Sequence, residues 1–146
     1  MDLTSPANCM CFNLRQATRA ITQAYDAALK PVGITAPQFT MLSVMASSGP
    51  HTMLELAAAL KMDRTTLTRN LKPLVRDGLV EVNTGDDQRQ RMIKLTRKGR
   101  VRREKAEKYW RTAQDKVVGL FGKADSTALL KALSQVSKTT NNVASG

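Results

Sequence analysis

The fold is decided by residues 52–78, TMLELAAALKMDRTTLTRNLKPLVRDG. Thr52 and Glu55 have the spacing of a capping box, which starts a short helix with apolar residues at helical spacing. Asp63 is a natural N-cap for a second helix. Only the three residues 61–63 separate the two helices, and so short a connection predicts a helix-turn-helix.

A proline leaves the end of the second helix open between two alternatives. Pro73 lacks the N–H that would bond to the Arg69 carbonyl oxygen, and its ring disfavours a straight helix. Either the helix bends at Pro73, or its regular part ends near Lys72. The side chains that matter for function lie before Pro73 under both alternatives.

After Gly78 the apolar pattern changes from a helical period to a period of two. Residues 79–82 and 91–95 are predicted to form two short strands, with the polar residues 85–89 at the tip of a hairpin. A helix-turn-helix followed by a basic two-stranded hairpin is the winged-helix arrangement.

Further helices are predicted on both sides of this core. Apolar residues repeat at helical spacing over residues 10–30, and Thr35 and Gln38 form another capping box. Thr96 is expected to cap a long helix that ends at about Phe121.

Two residues of the C-terminal part carry further predictions. Gly99, in the first turn of the long helix, is expected to cost this helix up to ~1 kcal/mol relative to alanine. Asp125 is expected to cap the last helix, which carries leucines on one face.

The charge of the chain is concentrated in its middle. The 146 residues include 23 Lys and Arg against 12 Asp and Glu, a net charge of +11. Residues 1–60 have a net charge of zero, residues 61–116 one of +9, and residues 117–146 one of +2. A basic block inside folded structure favours a shaped binding surface for a polyanion over a loose basic tail.

The second helix of the motif is a candidate recognition helix. Such a helix fits the major groove of B-DNA, and its N-terminal residues reach the base edges. Arg69 fits a bidentate contact to guanine, worth ~1–3 kcal/mol of discrimination. The candidate DNA-binding side chains of this helix are Arg64, Thr65, Thr66, Thr68, Arg69 and Lys72.

The hairpin adds further candidate DNA contacts. Arg89, near the tip, is expected to enter the minor groove, where a narrow A·T tract concentrates negative potential. Asp87 is expected to orient a neighbouring arginine, because a carboxylate is repelled by phosphate. Arg91 and Lys94 are candidate phosphate contacts.

These motifs together resemble the MarR family. Residues 56–80 resemble its DNA-reading core, and Asp87-x-Arg89 followed by Ile93-x-Leu95-Thr96-x-x-Gly99 resembles its wing signature. The resemblance implies a homodimeric winged helix-turn-helix repressor that binds a palindromic operator in double-stranded DNA. Its first and last helices would interlock between the subunits.

The predicted fold class is mainly α with a small β-hairpin wing, in a single domain over residues 1–146. Residues 35–99 would form the winged helix-turn-helix DNA-binding lobe, and residues 10–34 and 100–142 the flanking dimerisation helices. The terminal helices are amphipathic, weakly charged and too long for one small domain to bury completely, which agrees with dimerisation. Packing within one subunit is the alternative.

The family contains members that small molecules release from DNA, often phenolic or aromatic acids. By this resemblance, a pocket between the dimer helices and the DNA-binding lobe would hold the effector. Core packing is the alternative for each residue of this pocket. The candidate lining is Leu14, Arg15, Ile21, Tyr25, Phe39, Met45 and Trp110.

The family also contains thiol-based peroxide sensors. Cys11, Tyr25 and residues 33–39 resemble the opening of its organic-hydroperoxide branch, although Arg15 stands where a second tyrosine is expected. Arg15 lies one helical turn from Cys11 and would favour its thiolate, which makes Cys11 the redox candidate. Inert packing on an apolar helix seam is the alternative. On one helix, Cys9 and Cys11 would point about 200° apart.

Other classes of function fit the sequence less well. A non-specific architectural nucleic-acid-binding protein would also be small and basic, but the capped recognition helix argues against it. The sequence offers no nucleophile–base pair, no Gly-rich phosphate loop and a single His, so an enzyme, a metal site and a cofactor are not expected. No apolar run approaches the ~18 residues of a membrane span, and a cytoplasmic protein with no membrane partner is expected.

Overall fold

The computed structural model describes residues 1–84 and 91–143, with side chains described over residues 1–83 and 91–139. Two short 3-10 turns, Pro6–Asn8 and Lys30–Val32, flank the first helix. The helices are α1 (Met10–Leu29), α2 (Ala36–Ser48), α3 (Met53–Leu60), α4 (Arg64–Arg76), α5 (Arg97–Phe121) and α6 (Lys123–Val143). The strands are β1 (His51–Thr52), β2 (Val80–Thr84) and β3 (Arg91–Leu95).

The chain divides into two compact units, Met1–Trp110 and Arg111–Gly146. The first unit contains the three strands, which form an antiparallel sheet in the order β1-β3-β2. The described part of the second unit consists of the last residues of α5 and the whole of α6. The mainly helical fold with a small β wing is confirmed, with one strand more than the sequence predicted.

The additional strand is β1. It pairs with β3, where His51 faces Ile93 and Thr52 faces Met92. His51 is buried, and its Nε2 lies 2.9 Å from the hydroxyl oxygen of Ser48. A two-residue strand leaves no periodicity in the sequence, so only the structure reveals it.

Side-chain caps start α2 and α3 as predicted. Thr35 Oγ1 accepts from the Gln38 amide at 3.3 Å, and Gln38 Oε1 accepts from the Thr35 amide at 2.9 Å. Thr52 and Glu55 form the same reciprocal pair at 3.2 and 2.8 Å. Each pair satisfies two amide groups that a helix start leaves without an internal acceptor.

The structure defines the end of α4 and the start of α6, for which the sequence made predictions. Helix α4 continues through Pro73 to Arg76, so the proline does not end it near Lys72. The prediction that Asp125 caps the last helix is wrong, because α6 begins at Lys123 and Asp125 lies inside its first turn. There a carboxylate interacts favourably with the helix dipole without being the cap.

Apolar side chains from both helices of the motif and from the sheet form the core of the first unit. Leu56 of α3, Leu67 of α4 and Ile93 of β3 are fully buried in it. Full burial of such a side chain contributes about 1.5–3 kcal/mol, so the core fixes how α4 is presented to solvent. Among the described residues, no helix combines the length and the apolar character needed to cross a membrane.

Candidate nucleic-acid interface

The first turn of α4 is fixed by its N-cap. Asp63 Oδ1 accepts from the Thr66 amide at 2.8 Å, and Asp63 Oδ2 accepts from the Thr66 hydroxyl at 2.6 Å. These hydrogen bonds hold the pKa of the Asp63 carboxyl below its usual value, and the bond from the Thr66 hydroxyl has the largest effect. The cap therefore stays charged at neutral pH and sets the direction in which α4 leaves the turn.

Helix α4 has one buried face and one exposed polar face. Leu67, Leu71 and Leu74 are 0%, 4% and 1% exposed and anchor the helix in the core. The opposite face forms a shallow depression of about 460 Å³. Five of the six predicted DNA-binding side chains of this helix line it together: Arg64, Thr65, Thr68, Arg69 and Lys72.

The sixth predicted residue, Thr66, has a different role in the structure. It is half-buried, and its hydroxyl donates to Asp63 while its amide completes the cap. Thr68 bonds locally as well, since its hydroxyl donates to the Arg64 carbonyl oxygen at 2.8 Å, but its side chain stays on the exposed face. We define the five residues of this depression as the recognition face.

The turn between α3 and α4 depends on a left-handed residue. Lys61 has φ 51° and ψ 44°, a conformation usually given to glycine. The Lys61 amide donates to the Ala58 carbonyl oxygen and the Met62 amide to that of Ala57, at 3.2 and 2.9 Å. Together these bonds close the end of α3 and bring Asp63 into position within three residues.

The wing consists of β2 and β3 in the register that pairs Val80 with Leu95 and Thr84 with Arg91. Arg91 is exposed at the start of β3. Lys94, a candidate phosphate contact, lies with its Nζ 3.7 Å from Glu81 Oε1 on the neighbouring strand. The candidate contacts Asp87 and Arg89 lie outside the described residues.

The base of the wing is attached closely to the start of α5. The Thr96 hydroxyl lies 2.7 Å from the Gly78 carbonyl oxygen and 3.1 Å from that of Leu79, and it accepts from the Gly99 amide at 3.0 Å. Thr96 is thus the N-cap of α5, as predicted. A Cβ added at Gly99 would lie 2.0 Å from the Leu79 carbonyl oxygen. The sequence suggested only a cost at Gly99, whereas the structure requires glycine there.

A second link to α5 reaches the C-terminal end of α4. Lys98 Nζ donates to the Asp77 carbonyl oxygen at 2.7 Å. Arg76 Nε donates to the Asp77 carboxylate at 3.0 Å, and chiefly this bond lowers the pKa of Asp77. No pattern in the sequence indicated a role for Lys98, because its partner is a backbone oxygen 21 residues away.

Only two of the predicted effector-pocket residues come together in the structure. The rings of Phe39 and Trp110 stack with their centroids 5.7 Å apart and an interplanar angle of 26°. They line a groove of about 420 Å³ between α2 and α5. Arg103 also lines it, with Nη1 3.1 Å from Glu107 Oε2 and Nε 3.4 Å from the Ser43 hydroxyl. We call it the aromatic groove.

The other five candidate pocket residues do not line the aromatic groove. Met45 is buried in the core. Tyr25 is buried as well, and this burial raises the pKa of its hydroxyl. Leu14 is half-buried, whereas Arg15 and Ile21 are exposed on α1. The helical periodicity that grouped the α1 residues could not specify which of them face α2 and α5.

Both cysteines are free thiols and exposed in the single chain. Cys11 lies in the first turn of α1, and Cys9 is the residue just before this helix, with an extended backbone at φ −61° and ψ 121°. Because Cys9 lies outside α1, the separation of about 200° for two cysteines on one helix does not apply to this pair. Cys11 and Arg15 are exposed one turn apart on α1.

Comparisons with known proteins identify the family to which this fold is similar. A family model described as MarR family matches residues 32–90. The organic hydroperoxide resistance transcriptional regulator of Bacillus subtilis is 32% identical over 100 residues, which cover 68% of each of the two chains.

Solved structures extend the similarity beyond the DNA-binding lobe. The M. tuberculosis transcriptional regulator MosR, in complex with DNA, is 42% identical with a TM-score of 0.85, covering 92% of this chain and 97% of that one. A mutant MarR from E. coli, complexed with operator DNA, is 25% identical with a TM-score of 0.80, covering 93% and 99%. These chains and the present one share one fold over most of their length. Proteins of this kind are transcription factors and not enzymes, and the chain belongs to the MarR family of winged helix-turn-helix, DNA-binding transcriptional regulators.

Proposed function

We propose that this chain is a homodimeric repressor that binds a palindromic operator and is released from it by a small aromatic acid or by oxidation of Cys11. The observation that carries the DNA-binding part is the recognition face, on which five polar side chains project from a capped and anchored helix. A repressor bound to a promoter blocks transcription until a signal lowers its affinity for the operator.

The recognition face supplies groups for both base and phosphate contacts. Arg69 lies on the exposed face and carries the fork of donors that matches guanine O6 and N7. Arg64 and Lys72 suit the phosphates on either side, and the hydroxyls of Thr65 and Thr68 suit phosphate oxygens or thymine methyl groups. Arg91 is exposed on β3, and together with the sequence-predicted contacts Asp87 and Arg89 it is proposed to extend the interface toward the minor groove.

Exposed apolar side chains support the homodimer. Phe12 on α1 is 51% exposed, and Leu120 at the end of α5 and Leu130 on α6 are 88% and 63% exposed. In each of the two compact units, large apolar side chains left in water favour cover by another chain. Two-fold pairing would place two recognition helices about 34 Å apart, one turn of B-DNA.

The DNA-binding proposal is tested by comparing two arginines of α4. With an operator obtained by selection from random DNA, Arg69→Ala should weaken binding about 5- to 150-fold and relax the preference at one base pair. Arg76→Ala is the matched control, because Arg76 is exposed on the same helix but lies outside the recognition face. Fluorescence anisotropy with the operator and with scrambled DNA measures both effects.

The architectural alternative makes the opposite prediction. An architectural protein would bind operator and scrambled DNA with a ratio near one, and both arginine variants would lose affinity to a similar extent. Such a result would contradict sequence-specific regulation.

The aromatic groove is the proposed effector site. Its stacked rings offer a face for an aromatic ligand, and Arg103 offers a donor for a carboxylate. Trp110 is the single tryptophan of the chain, so 4-hydroxybenzoate bound there should quench the intrinsic fluorescence. Arg103→Gln should weaken this binding about tenfold, whereas Arg97→Gln, in the first turn of α5, should not. Equal affinities in the two variants would exclude the groove as the carboxylate site.

Oxidation of Cys11 is the second proposed route of release. Its thiolate would attack the peroxide O–O bond, giving a sulfenic acid on Cys11 and releasing the alcohol after proton transfer. Cys11→Ser should then keep DNA affinity and abolish release by cumene hydroperoxide. Cys9→Ser should still be released if the sulfenic acid alone suffices, and mass spectrometry identifies the product. Unchanged release of Cys11→Ser would remove this route.

A further inference from the structure

A second groove lies between the 3-10 turn Lys30–Val32 and one side of α5, in the first compact unit. Its volume is about 870 Å³, twice that of the aromatic groove. It is lined by four cationic side chains and one carboxylate: Lys30, Arg102, Lys105, Lys108 and Glu104. A formal charge of +3 in one groove attracts an anion with several negative charges more strongly than a monocarboxylate.

One of these cations is held in place by the backbone. Arg102 is half-buried, and its Nη1 donates to the Val32 carbonyl oxygen at 3.1 Å. A guanidinium carries five N–H donors in a rigid fork, so this single bond orients the group and leaves further donors for a ligand. An arginine fixed in advance loses less conformational freedom when it binds phosphate.

The same groove has an apolar and aromatic part. Val101 and Tyr109 of α5 both line it, and they are 45% and 43% exposed. A tyrosine ring in such a place can stack on an aromatic ring of a ligand. The volume is within the range of about 300–1,000 Å³ typical of ligand pockets, and it leaves more room than the aromatic groove does.

The groove is separate from the recognition face. Its lining comes from the Lys30–Val32 turn, Gly33 and α5, and includes no residue of α3, α4 or the described strands. It also shares no lining residue with the aromatic groove. A ligand bound there would therefore occupy neither of the sites assigned above.

We propose that this groove binds a small polyphosphorylated ligand with an aromatic ring, of the nucleoside diphosphate or triphosphate class. Arg102, Lys105 and Lys108 would bind the phosphates, and Tyr109 would stack on the base. Glu104, the carboxylate of the lining, would face away from the phosphates and suits a donor group of the sugar. This site goes beyond DNA binding and release by an aromatic acid.

Isothermal titration of the full chain with ATP, without magnesium, tests the proposal. Saturable binding of one ATP per chain is expected, and the double variant Lys105→Gln/Lys108→Gln should bind about tenfold more weakly. The control Lys116→Gln/Lys131→Gln removes the same charge from exposed positions elsewhere and should bind as the wild type does. Adenosine and pyrophosphate, tested separately, should each bind more weakly than ATP.

Several outcomes would overturn the proposal. They are the absence of saturable binding, equal affinities in the two double variants, and a pyrophosphate affinity equal to that of ATP. A loss of operator affinity in Lys105→Gln/Lys108→Gln without any nucleotide effect would assign the groove to the DNA backbone. A change of oligomeric state in sedimentation, again without a nucleotide effect, would assign it to a contact between two copies. None of these results would contradict DNA binding through the recognition face.

Discussion

Lys61 shows how a single residue determines the helix-turn-helix connection. Within residues 1–84 and 91–143 it is the one non-glycine residue with a positive φ. An L-residue in this conformation brings its Cβ close to a backbone oxygen, which destabilises the folded state by roughly 1–2 kcal/mol. The bonds from the Lys61 and Met62 amides to the end of α3 stabilise the turn in spite of this strain.

Replacing Lys61 with glycine should therefore stabilise the protein. After the larger backbone entropy of glycine in the unfolded chain is subtracted, Lys61→Gly should raise the free energy of unfolding by about 0.5 kcal/mol. Lys61→Ala is the control, since it removes the same charge and keeps the strain. Urea unfolding at one protein concentration measures both variants, and a glycine variant less stable than the alanine variant would contradict the argument.

The contact between the base of the wing and α5 reverses the usual preference for alanine over glycine inside a helix. Gly99 lies inside a helix, where alanine is ordinarily better by up to about 1 kcal/mol. At this position a methyl group would overlap the Leu79 carbonyl oxygen and approach the Leu95 side chain. Because backbone cannot move aside as a flexible side chain can, the helix and the strand must separate.

Two glycine-to-alanine substitutions in α5 should consequently have opposite signs. Gly99→Ala should lower the free energy of unfolding by at least about 2 kcal/mol. Gly119→Ala is the matched control in the same helix, where an added Cβ meets nothing within 4 Å. It should raise the free energy of unfolding by about 0.5–1 kcal/mol. Chemical denaturation of both variants decides, and a Gly99→Ala protein as stable as the wild type would exclude the close contact.

These elements also show what the sequence could and could not predict. The capping boxes at Thr35 and Thr52 were predictable because both partners lie within one turn of helix. The pairing of β1 with β3 and the need for glycine at position 99 were not, because both depend on residues far along the chain. Five of the six side chains predicted from α4 form the recognition face, whereas Thr66 does not line it and donates its hydroxyl to Asp63.

At the scale of the whole molecule, the charge distribution leads to a prediction about salt. The net charge of +9 in residues 61–116 includes the cations of the recognition face and of the start of α5. If each subunit of a dimer neutralises about five phosphates, log K against log salt concentration should have a slope of about −9. Anisotropy titrations between 50 and 300 mM salt, roughly the range in which such slopes are measured, provide the test. A slope near −2 would mean that another surface binds the DNA.

The attachment of the wing to α5 has a consequence for the evolution of the interface. Thr96, just after β3, donates its hydroxyl to the Gly78 carbonyl oxygen, just before β2, and accepts from the Gly99 amide. On its other side, β3 pairs with β1. The base of the hairpin is thus held together by contacts among residues that the structure describes. Lengthening a loop whose ends are already held together costs little, about 0.6 kcal/mol for each doubling of its length. Related proteins can therefore differ in length and charge between β2 and β3, while α4 keeps its position relative to the base of the wing.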